Sequence, residues 1–163
     1  MHRIQRTIDI KAPVQRVYDT ICQPTNLPGI WPNMQSVSNL VPHGDGTYDF
    51  DWVYKMAGMH FRGHTRVEDA QPARYFRIRN EGEITGAFRW TFTGLDGMGT
   101  RLSVDIEYTI PTPLIGKIVE SLVAKSNERD LDVLLGNLRD WTEHFAAENV
   151  IEAKAAPAPA RAH

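Results

Sequence analysis

The sequence is poor in cysteine and has no long apolar run. Its one cysteine, Cys22, excludes an intrachain disulfide framework and any metal site built from several cysteines. No stretch approaches the roughly 18–20 consecutive apolar residues of a membrane-spanning helix. The first residues, MHRIQRTIDI, lack the apolar segment of a secretory signal. We therefore expect a cytoplasmic protein without stable membrane insertion.

The chain also lacks a surplus of positive charge. Its 18 Lys and Arg residues stand against 20 Asp and Glu, which gives a formal net charge of −2. Proteins that bind nucleic acid normally carry a basic excess or a basic stripe. The arginine clusters at residues 62–66 and 74–79 are diluted by neighbouring acidic residues. We therefore expect no nucleic-acid partner.

What is present is typical of one folded domain. The chain has 163 residues, of which 42% are hydrophobic and 23% are charged, as in an ordinary soluble domain. Residues 153–163 hold six alanines and two prolines, a composition that does not form a core. The sequence predicts a folded domain over residues 1–148 and an Ala/Pro-rich flexible tail over 149–163.

Strict alternation of apolar and polar residues predicts seven strands. One lies at residues 3–11, and six more follow between residues 34 and 110, joined by short turns. No helix-length insert separates the six, so we expect antiparallel hairpins with one apolar face. Proline-bounded segments at 14–23 and 26–31 predict two short helices after the first strand.

A long C-terminal helix is predicted to cover the apolar face of the sheet. Between residues 114 and 148 an apolar stripe recurs with helical spacing. The stripe lapses over residues 125–130 (KSNERD), where Asn127 and Asp130 occupy stripe positions. Its members are Val119, Val123, Leu131, Leu134, Leu138, Trp141 and Phe145.

The order of elements, together with four segments, resembles a known superfamily. The segments are residues 8–18 (IDIKAPVQRVY), 26–32 (NLPGIWP), 94–101 (GLDGMGTR) and 107–111 (EYTIP). Over residues 3–147 the chain is similar to the START-related, polyketide cyclase/dehydrase-like superfamily. The resemblance implies an α+β helix-grip fold, in which a curved seven-stranded antiparallel sheet wraps around the long C-terminal helix. It also implies a hydrophobic cavity between sheet and helix. No catalytic set of the family can be matched to positions in this chain.

Strand alternation selects the residues that face this cavity. We predict that the ligand-binding residues are Trp52, Tyr54, Phe61, Phe76, Phe88, Trp90 and Tyr108 on the sheet and Asn127 on the helix. Mid-strand glycines at inward positions, Gly63 and Gly86, favour a cavity over a filled core because a side chain would normally occupy that space.

Two polar pairs are candidate sites. His60 and His64 share a strand face, but the same alternation places them outward beside arginines, so we expect exposed histidines and no metal site. Asn127 either orients a ligand or sees water. Asp130 is expected in water, because burying a lone carboxylate is costly. No motif for a cofactor is present, and we expect none.

The predicted function is to carry or bind a small hydrophobic molecule, such as a lipid, quinone, polyketide or isoprenoid. Tyr54, Tyr108 and Asn127 would orient it. The alternative is a metal-free polyketide cyclase/dehydrase-type enzyme that uses the same cavity, with the tyrosines polarising a carbonyl. A third hypothesis is an interaction module that uses Arg62, Arg66, Arg77 and Arg89 on the outer face.

Three local features complete the expectations. Residues 111–123 (PTPLIGKIVESLV) either pack on the sheet or contact a membrane transiently during ligand exchange. Trp31 is either a gate or a lid over the core. Cys22 is expected to pack rather than to act as a nucleophile. The oligomeric state and the identity of the ligand are not determined by these patterns.

Overall fold

The alternating segments form one antiparallel sheet. The computed structural model describes residues 1–110 and 112–155, with side chains described for 1–110, 116 and 118–144. The strands are β1 His2–Ile10, β2 Met34–Pro42, β3 Tyr48–Met56, β4 Met59–Gln71, β5 Tyr75–Gly82, β6 Thr85–Leu95 and β7 Gly99–Thr109. The helices are α1 Val14–Ile21, α2 Leu27–Ile30 and α3 Thr112–Ala155, with a 3-10 turn at Pro24–Asn26.

The strand order is β1-β7-β6-β5-β4-β3-β2, with every neighbouring pair antiparallel. Strands β2 to β7 therefore form consecutive hairpins, and β1 closes the far edge by pairing with β7, for example through Ile4 opposite Ile106. The register shifts between Val67 and Asp69 and at two places in β2, which curves the sheet. The predicted seven-stranded antiparallel sheet is confirmed.

Prolines position the two short helices at the end of β1. Pro13 precedes α1 with extended backbone angles, and Pro24 opens the 3-10 turn that follows it. Val17 and Ile21 point into the core from α1, and Ile30 does so from α2. These helices lie at one end of the concave face, and they confirm the prediction of two short helices after the first strand.

The long helix α3 lies across the concave face. Val123, Leu131, Leu134 and Leu138 are fully buried, as the stripe predicts. Trp141 differs, because it is 36% exposed and its ring packs beside Gly29 of α2. The described residues thus show the helix-grip arrangement, with the core between sheet and helix.

Two further features of α3 bear on the predictions. Gly116 has φ 69° and ψ 160°, so the backbone is kinked there in a conformation that favours glycine. The helix extends to Ala155, beyond the predicted domain end at 148, and residues 156–163 lie outside the described residues. The division into domain and tail therefore stays a prediction. No helix within the described ranges has the length and hydropathy needed to cross a bilayer.

Candidate functional site

A cavity lies between the concave face of the sheet, the α2 region and α3. Its volume is about 110 Å³, counted as the space that the centre of a water molecule can reach. One water needs about 10–15 Å³ by that measure, and typical ligand pockets offer roughly 300–1,000 Å³. The cavity is therefore large enough for several water molecules but smaller than a typical ligand pocket.

The cavity wall is aromatic and uncharged. Nine of the chain's fifteen Phe, Trp and Tyr residues line it, and no acidic or basic side chain is among the lining residues of the described chain. Ile78, Ile84 and Phe88 are only half-buried, so the wall is open to solvent around β5 and β6. The full lining is Ile4, Ile21, Pro24, Leu27, Trp31, Met34, Tyr48, Phe50, Trp52, Tyr54, Met56, Thr65, Phe76, Ile78, Asn80, Ile84, Phe88, Trp90, Ile106, Tyr108, Asn127 and Leu131.

The structure brings together seven of the eight residues named from the sequence. Trp52, Tyr54, Phe76, Phe88, Trp90, Tyr108 and Asn127 all line the cavity. Phe61 is 3% exposed and belongs to the core, but it does not line the cavity. It pairs with Tyr54 and packs into the hydrophobic core, so alternation places it on the correct face but not in the cavity wall.

The two inward glycines do not leave empty space, contrary to the expectation that they favour a cavity. A Cβ atom on Gly63 would lie 2.2 Å from the Trp52 ring, because that indole fills the position. A Cβ on Gly86 would lie 2.3 Å from the carbonyl oxygen of Glu107, because the β7 backbone approaches closely. Gly63 therefore seats an aromatic side chain, and Gly86 permits a tight strand pair.

Four buried polar atoms in the described part of the chain have no hydrogen-bond partner. They are Trp31 Nε1, Trp90 Nε1, the Tyr108 hydroxyl and Asn127 Oδ1. All four belong to residues that line the cavity. Buried polar groups are nearly always paired, so a cluster of unpaired groups marks a place where another molecule supplies the partners.

The Asn127 amide lies close to the Tyr108 hydroxyl, and both residues line the cavity. Burial raises the pKa of the Tyr108 hydroxyl, and the nearby Asn127 amide opposes that shift. The hydroxyl therefore stays protonated at neutral pH and can donate or accept a hydrogen bond. Of the two interpretations left open for Asn127, its position in the cavity wall favours ligand orientation.

Asp130 is not in bulk water, contrary to expectation. Its Oδ2 accepts a hydrogen bond from the Asn33 amide and another from the Tyr54 hydroxyl, the latter at 3.3 Å. Burial raises the pKa of this carboxyl, and the two hydrogen bonds oppose that shift. Burial, followed by the charge of Asp130, raises the pKa of Tyr54. A partly buried carboxyl thus lies directly behind a cavity-lining tyrosine. The spacing of residues along α3 cannot indicate this, because the polar partner Asn33 lies outside that helix.

Trp31 packs against the same tyrosine. Its ring meets that of Tyr54 edge to face, with the centroids 5.2 Å apart, and it lines the cavity while remaining half-buried. This position is compatible with both the lid and the gate that the sequence left open.

A second polar pair on the wall was missed from the sequence. Thr65 and Asn80 are both buried and line the cavity, and the Thr65 hydroxyl donates to Asn80 Oδ1 at 2.5 Å. A signal was available, because the alternation of Phe76 and Ile78 continues to Asn80 on the same face.

The histidines lie on the outer face, as predicted. His60 is exposed, and His64 bridges Asp51 at 2.7 Å and Asp49 at 3.3 Å. The two carboxylates come from the neighbouring strand β3, where spacing along β4 does not reveal them. Among the described side chains, no group of three or more His, Cys, Asp or Glu residues is arranged to hold a metal ion.

The outer-face arginines make local contacts. Arg66 and Arg77 pair with carboxylates at 3.7 and 3.5 Å, and Arg89 lies over the Tyr75 ring, 5.7 Å from its centroid. No observation on these residues favours an interaction module.

Two remaining expectations concern Cys22 and the start of α3. Burial raises the pKa of the Cys22 thiol to about 12, so the thiol packs and is not a nucleophile at neutral pH.

In the segment 111–123, Val123 is buried while Ile118 is 83% exposed and Leu122 is 62% exposed. The side chains of 111–115 and 117 lie outside the described residues. Transient membrane contact by the exposed face therefore stays a prediction.

Comparisons with known proteins agree with this architecture. No curated protein matches the chain by sequence. A protein from Thermus thermophilus is similar in structure at 22% identity and a TM-score of 0.74, over 85% of this chain and 95% of that one. A START superfamily protein from Mycobacterium smegmatis is similar at 18% identity and a TM-score of 0.72, over 89% of this chain and 99% of that one.

An aromatase/cyclase, Zhui, from Streptomyces sp. R1128 is similar at 18% identity and a TM-score of 0.68, over 85% of this chain and 94% of that one. Identities this low establish the shared fold alone. Membership is shown by a family model for polyketide cyclase / dehydrase and lipid transport, which matches residues 1–143. Since that match spans the whole sheet and most of α3, the chain belongs to the polyketide cyclase/dehydrase and lipid transport family.

Proposed function

We propose that the protein binds a small hydrophobic molecule, such as a lipid, quinone, polyketide or isoprenoid, in this cavity and acts as a carrier or binding protein. The observation that carries the proposal is that all four buried polar atoms without partners, among the described residues, belong to residues that line one apolar cavity. Leaving such a group unsatisfied costs about 1–3 kcal/mol. A ligand that supplies the missing partners removes this cost.

Apolar contact supplies the rest of the binding energy. Burial of apolar surface contributes roughly 25 cal/mol per Å², less the cost of ordering the ligand. The nine aromatic rings of the wall offer a large contact area to a ring-bearing molecule. Trp90, for example, stacks on Phe76 with centroids 5.6 Å apart and planes 9° apart, and so presents a rigid surface.

Native mass spectrometry of the freshly purified protein tests this proposal. We expect a stoichiometric adduct that solvent extraction releases for identification. The matched control is Ile106→Trp, which places a larger ring in the cavity from a buried lining position on β7. The folded control variant should carry no adduct. Equal adduct on both proteins would contradict binding in this cavity.

The second candidate function is a cyclase/dehydrase-type enzyme, and the Tyr54–Asp130 contact is the observation that favours it. Tyr54 lines the cavity, whereas Asp130 lies behind it and is held by Asn33. A carboxyl whose pKa is raised by burial can exchange a proton with a substrate oxygen through the tyrosine hydroxyl. The candidate roles are therefore Tyr54 as the group that contacts substrate and Asp130 as the positioned proton acceptor.

Asp130→Asn and Tyr54→Phe separate the two functions, with the extracted molecule as substrate. An enzyme should lose at least about 100-fold in turnover, followed as loss of one water from the substrate mass, while its affinity stays within tenfold. A carrier should show no turnover in either form and a modest loss of affinity. Tyr108→Phe serves as a comparison, because no described contact links that hydroxyl to Asp130.

A further inference from the structure

Three polar side chains of the cavity wall, those of Thr65, Asn80 and Tyr108, lie in one row across the sheet. Thr65 is opposite Asn80, Asn80 is opposite Gly86, and Gly86 is opposite Tyr108. Residues that are directly paired across antiparallel strands project to the same face. Thr65, Asn80 and Tyr108 are therefore at one level of the wall. The nearest inward residues along these strands are apolar, namely Val67, Ile78, Phe88 and Ile106.

Gly86 divides this row into two polar subsites. Neighbouring strands are about 4.8 Å apart, so the backbones at Asn80 and Tyr108 are separated by about 10 Å. No side chain can stand between them, because a Cβ atom on Gly86 would lie 2.3 Å from the Glu107 carbonyl oxygen. One subsite consists of Thr65 and Asn80, and the other consists of Tyr108 with Asn127 of α3.

The two subsites offer different hydrogen bonds. The Thr65 hydroxyl donates to Asn80 Oδ1, and no hydrogen bond among the described residues uses the side-chain N–H groups of Asn80. Asn80 lines the cavity and is 9% exposed, and its amide nitrogen is not among the fully buried atoms without a partner, so those donors remain accessible to a bound molecule. The Tyr108 hydroxyl and Asn127 Oδ1 are buried without partners. The first subsite therefore matches an acceptor oxygen, and the second matches a hydroxyl group.

The described cavity lining carries no charged side chain, and this restricts the chemical class of the ligand further. A carboxylate or ammonium group buried here without a counter-charge carries a large desolvation penalty. A fatty-acid headgroup therefore fits poorly, whereas neutral carbonyl and hydroxyl groups fit both subsites.

We propose that Thr65 and Asn80 form a second polar subsite that selects an uncharged, ring-containing ligand with oxygen functions on two opposite edges. This inference rests on the ligand-binding function proposed above. Asn80 donates to an oxygen at one edge, and Tyr108 with Asn127 binds a hydroxyl at the other. Asn80 is thus a specificity-determining residue, and Thr65 positions its amide.

Equilibrium dialysis with a series of two-ring probes tests the proposal on the full chain. The probes are naphthalene, 2-hydroxynaphthalene, 2,6-dihydroxynaphthalene and 6-hydroxy-2-naphthoate. We expect the dihydroxy probe to bind about 5–10-fold more tightly than the monohydroxy probe, because one additional buried hydrogen bond contributes about that factor. The anionic naphthoate should bind more weakly than both.

Asn80→Leu should abolish the preference for the second hydroxyl while binding naphthalene as well as the native protein does, which also verifies its fold. The matched control is Asn137→Leu. Asn137 is a partly buried amide of α3 that donates to the Ile30 carbonyl at 2.9 Å and does not line the cavity. This control should keep the preference.

The outcomes distinguish the two proposals. If the native protein binds naphthalene but does not prefer the dihydroxy probe, the second subsite is refuted and the binding function stands. The same conclusion follows if Asn80→Leu keeps the preference or if the naphthoate binds most tightly. If no probe binds, including naphthalene, the proposed binding function fails, and the inference fails with it.

Discussion

His64 bridges two carboxylates on the outer face of the sheet. The hydrogen bond to Asp51 raises the pKa of the imidazole, burial opposes this, and Asp49 adds to the increase. Asp49 also accepts a hydrogen bond from His43 at 3.0 Å and lies 3.7 Å from Arg66. Burial acts to raise the pKa of Asp49, but the hydrogen bonds from His43 and His64 outweigh it, so the net pKa is lowered.

Protonated His64 therefore stabilises the folded state. Because the folded pKa is above the unfolded value of about 6.5, the contribution is complete below that pH. It is lost as the pH rises through the folded pKa. His64→Gln should lower Tm by about 1–3 °C at pH 5.5, since partly exposed pairs contribute less than about 1 kcal/mol. The difference should vanish at pH 9.

Thermal unfolding followed by circular dichroism at both pH values measures this effect. The matched control is His60→Gln, because His60 is exposed on the same face of β4. It should change Tm equally little at both pH values. A decrease caused by His64→Gln that is larger at pH 9 than at pH 5.5 would show that the linkage has the opposite sign.

At the scale of single residues, the spacing of apolar and polar residues predicted which face a side chain lies on better than it predicted which groups that side chain contacts. It placed Trp52, Tyr108 and Asn127 in the cavity wall because each strand or helix face is defined by local spacing. It could not place Asp130, since the Asn33 amide that holds it comes from a loop 97 residues earlier in the chain. Partners that are distant in sequence determine whether a polar side chain is solvated or buried.

At the scale of elements, Gly86 of the sheet and Gly136 of α3 should respond oppositely to the same substitution. Gly86→Ala introduces a Cβ atom 2.3 Å from a carbonyl oxygen of β7, so the β6–β7 pair must separate locally. We expect a loss of about 1–3 kcal/mol and a decrease in Tm of roughly 3–10 °C. Gly136→Ala lies within α3, where a Cβ meets no atom within 4 Å.

Gly136→Ala should therefore stabilise the protein by about 0.5–1 kcal/mol, because alanine favours the helix and restricts the unfolded chain. Differential scanning calorimetry of the two variants beside the native protein measures both changes. Equal shifts in the two variants would contradict the close approach of β6 and β7.

The elements themselves could be predicted because their signals are local. The six hairpin strands follow from alternation and short turns, and α3 follows from its apolar stripe. Gly63 and Gly86 show the limit of this reasoning. The sequence indicates that they face inward, but whether the space is empty depends on Trp52 and on the β7 backbone, which meet them only in the folded sheet.

At the scale of the whole molecule, the cavity exists only when distant parts of the chain are assembled. Its wall takes residues from Ile4 of β1 through Leu131 of α3, and β1 reaches the sheet only by pairing with β7. A ligand that needs this wall has no binding site in the unfolded chain. Binding and folding stability are therefore coupled by mass action.

The coupling predicts how far a ligand shifts thermal unfolding. At a free concentration of 100 times Kd, a ligand that binds only the folded state stabilises it by about 2.7 kcal/mol. For a chain of this size, that free energy corresponds to a Tm increase of about 5–10 °C. 2,6-Dihydroxynaphthalene should produce such an increase in the native protein, and the increase should grow with the logarithm of its concentration.

Ile106→Trp provides the matched control, because it places a larger ring in the same cavity from the buried face of β7. Its own Tm should remain within a few degrees of the native value, and the probe should not shift it. A shift of equal size in both proteins would place the probe on the surface of the molecule. No shift in either protein, at concentrations where dialysis shows saturation, would mean that the probe binds the unfolded chain as well as it binds the folded one. In both cases the assembled wall would not be the binding site. A ligand raises the stability of the folded state by its full binding free energy only when its site is absent from the unfolded chain.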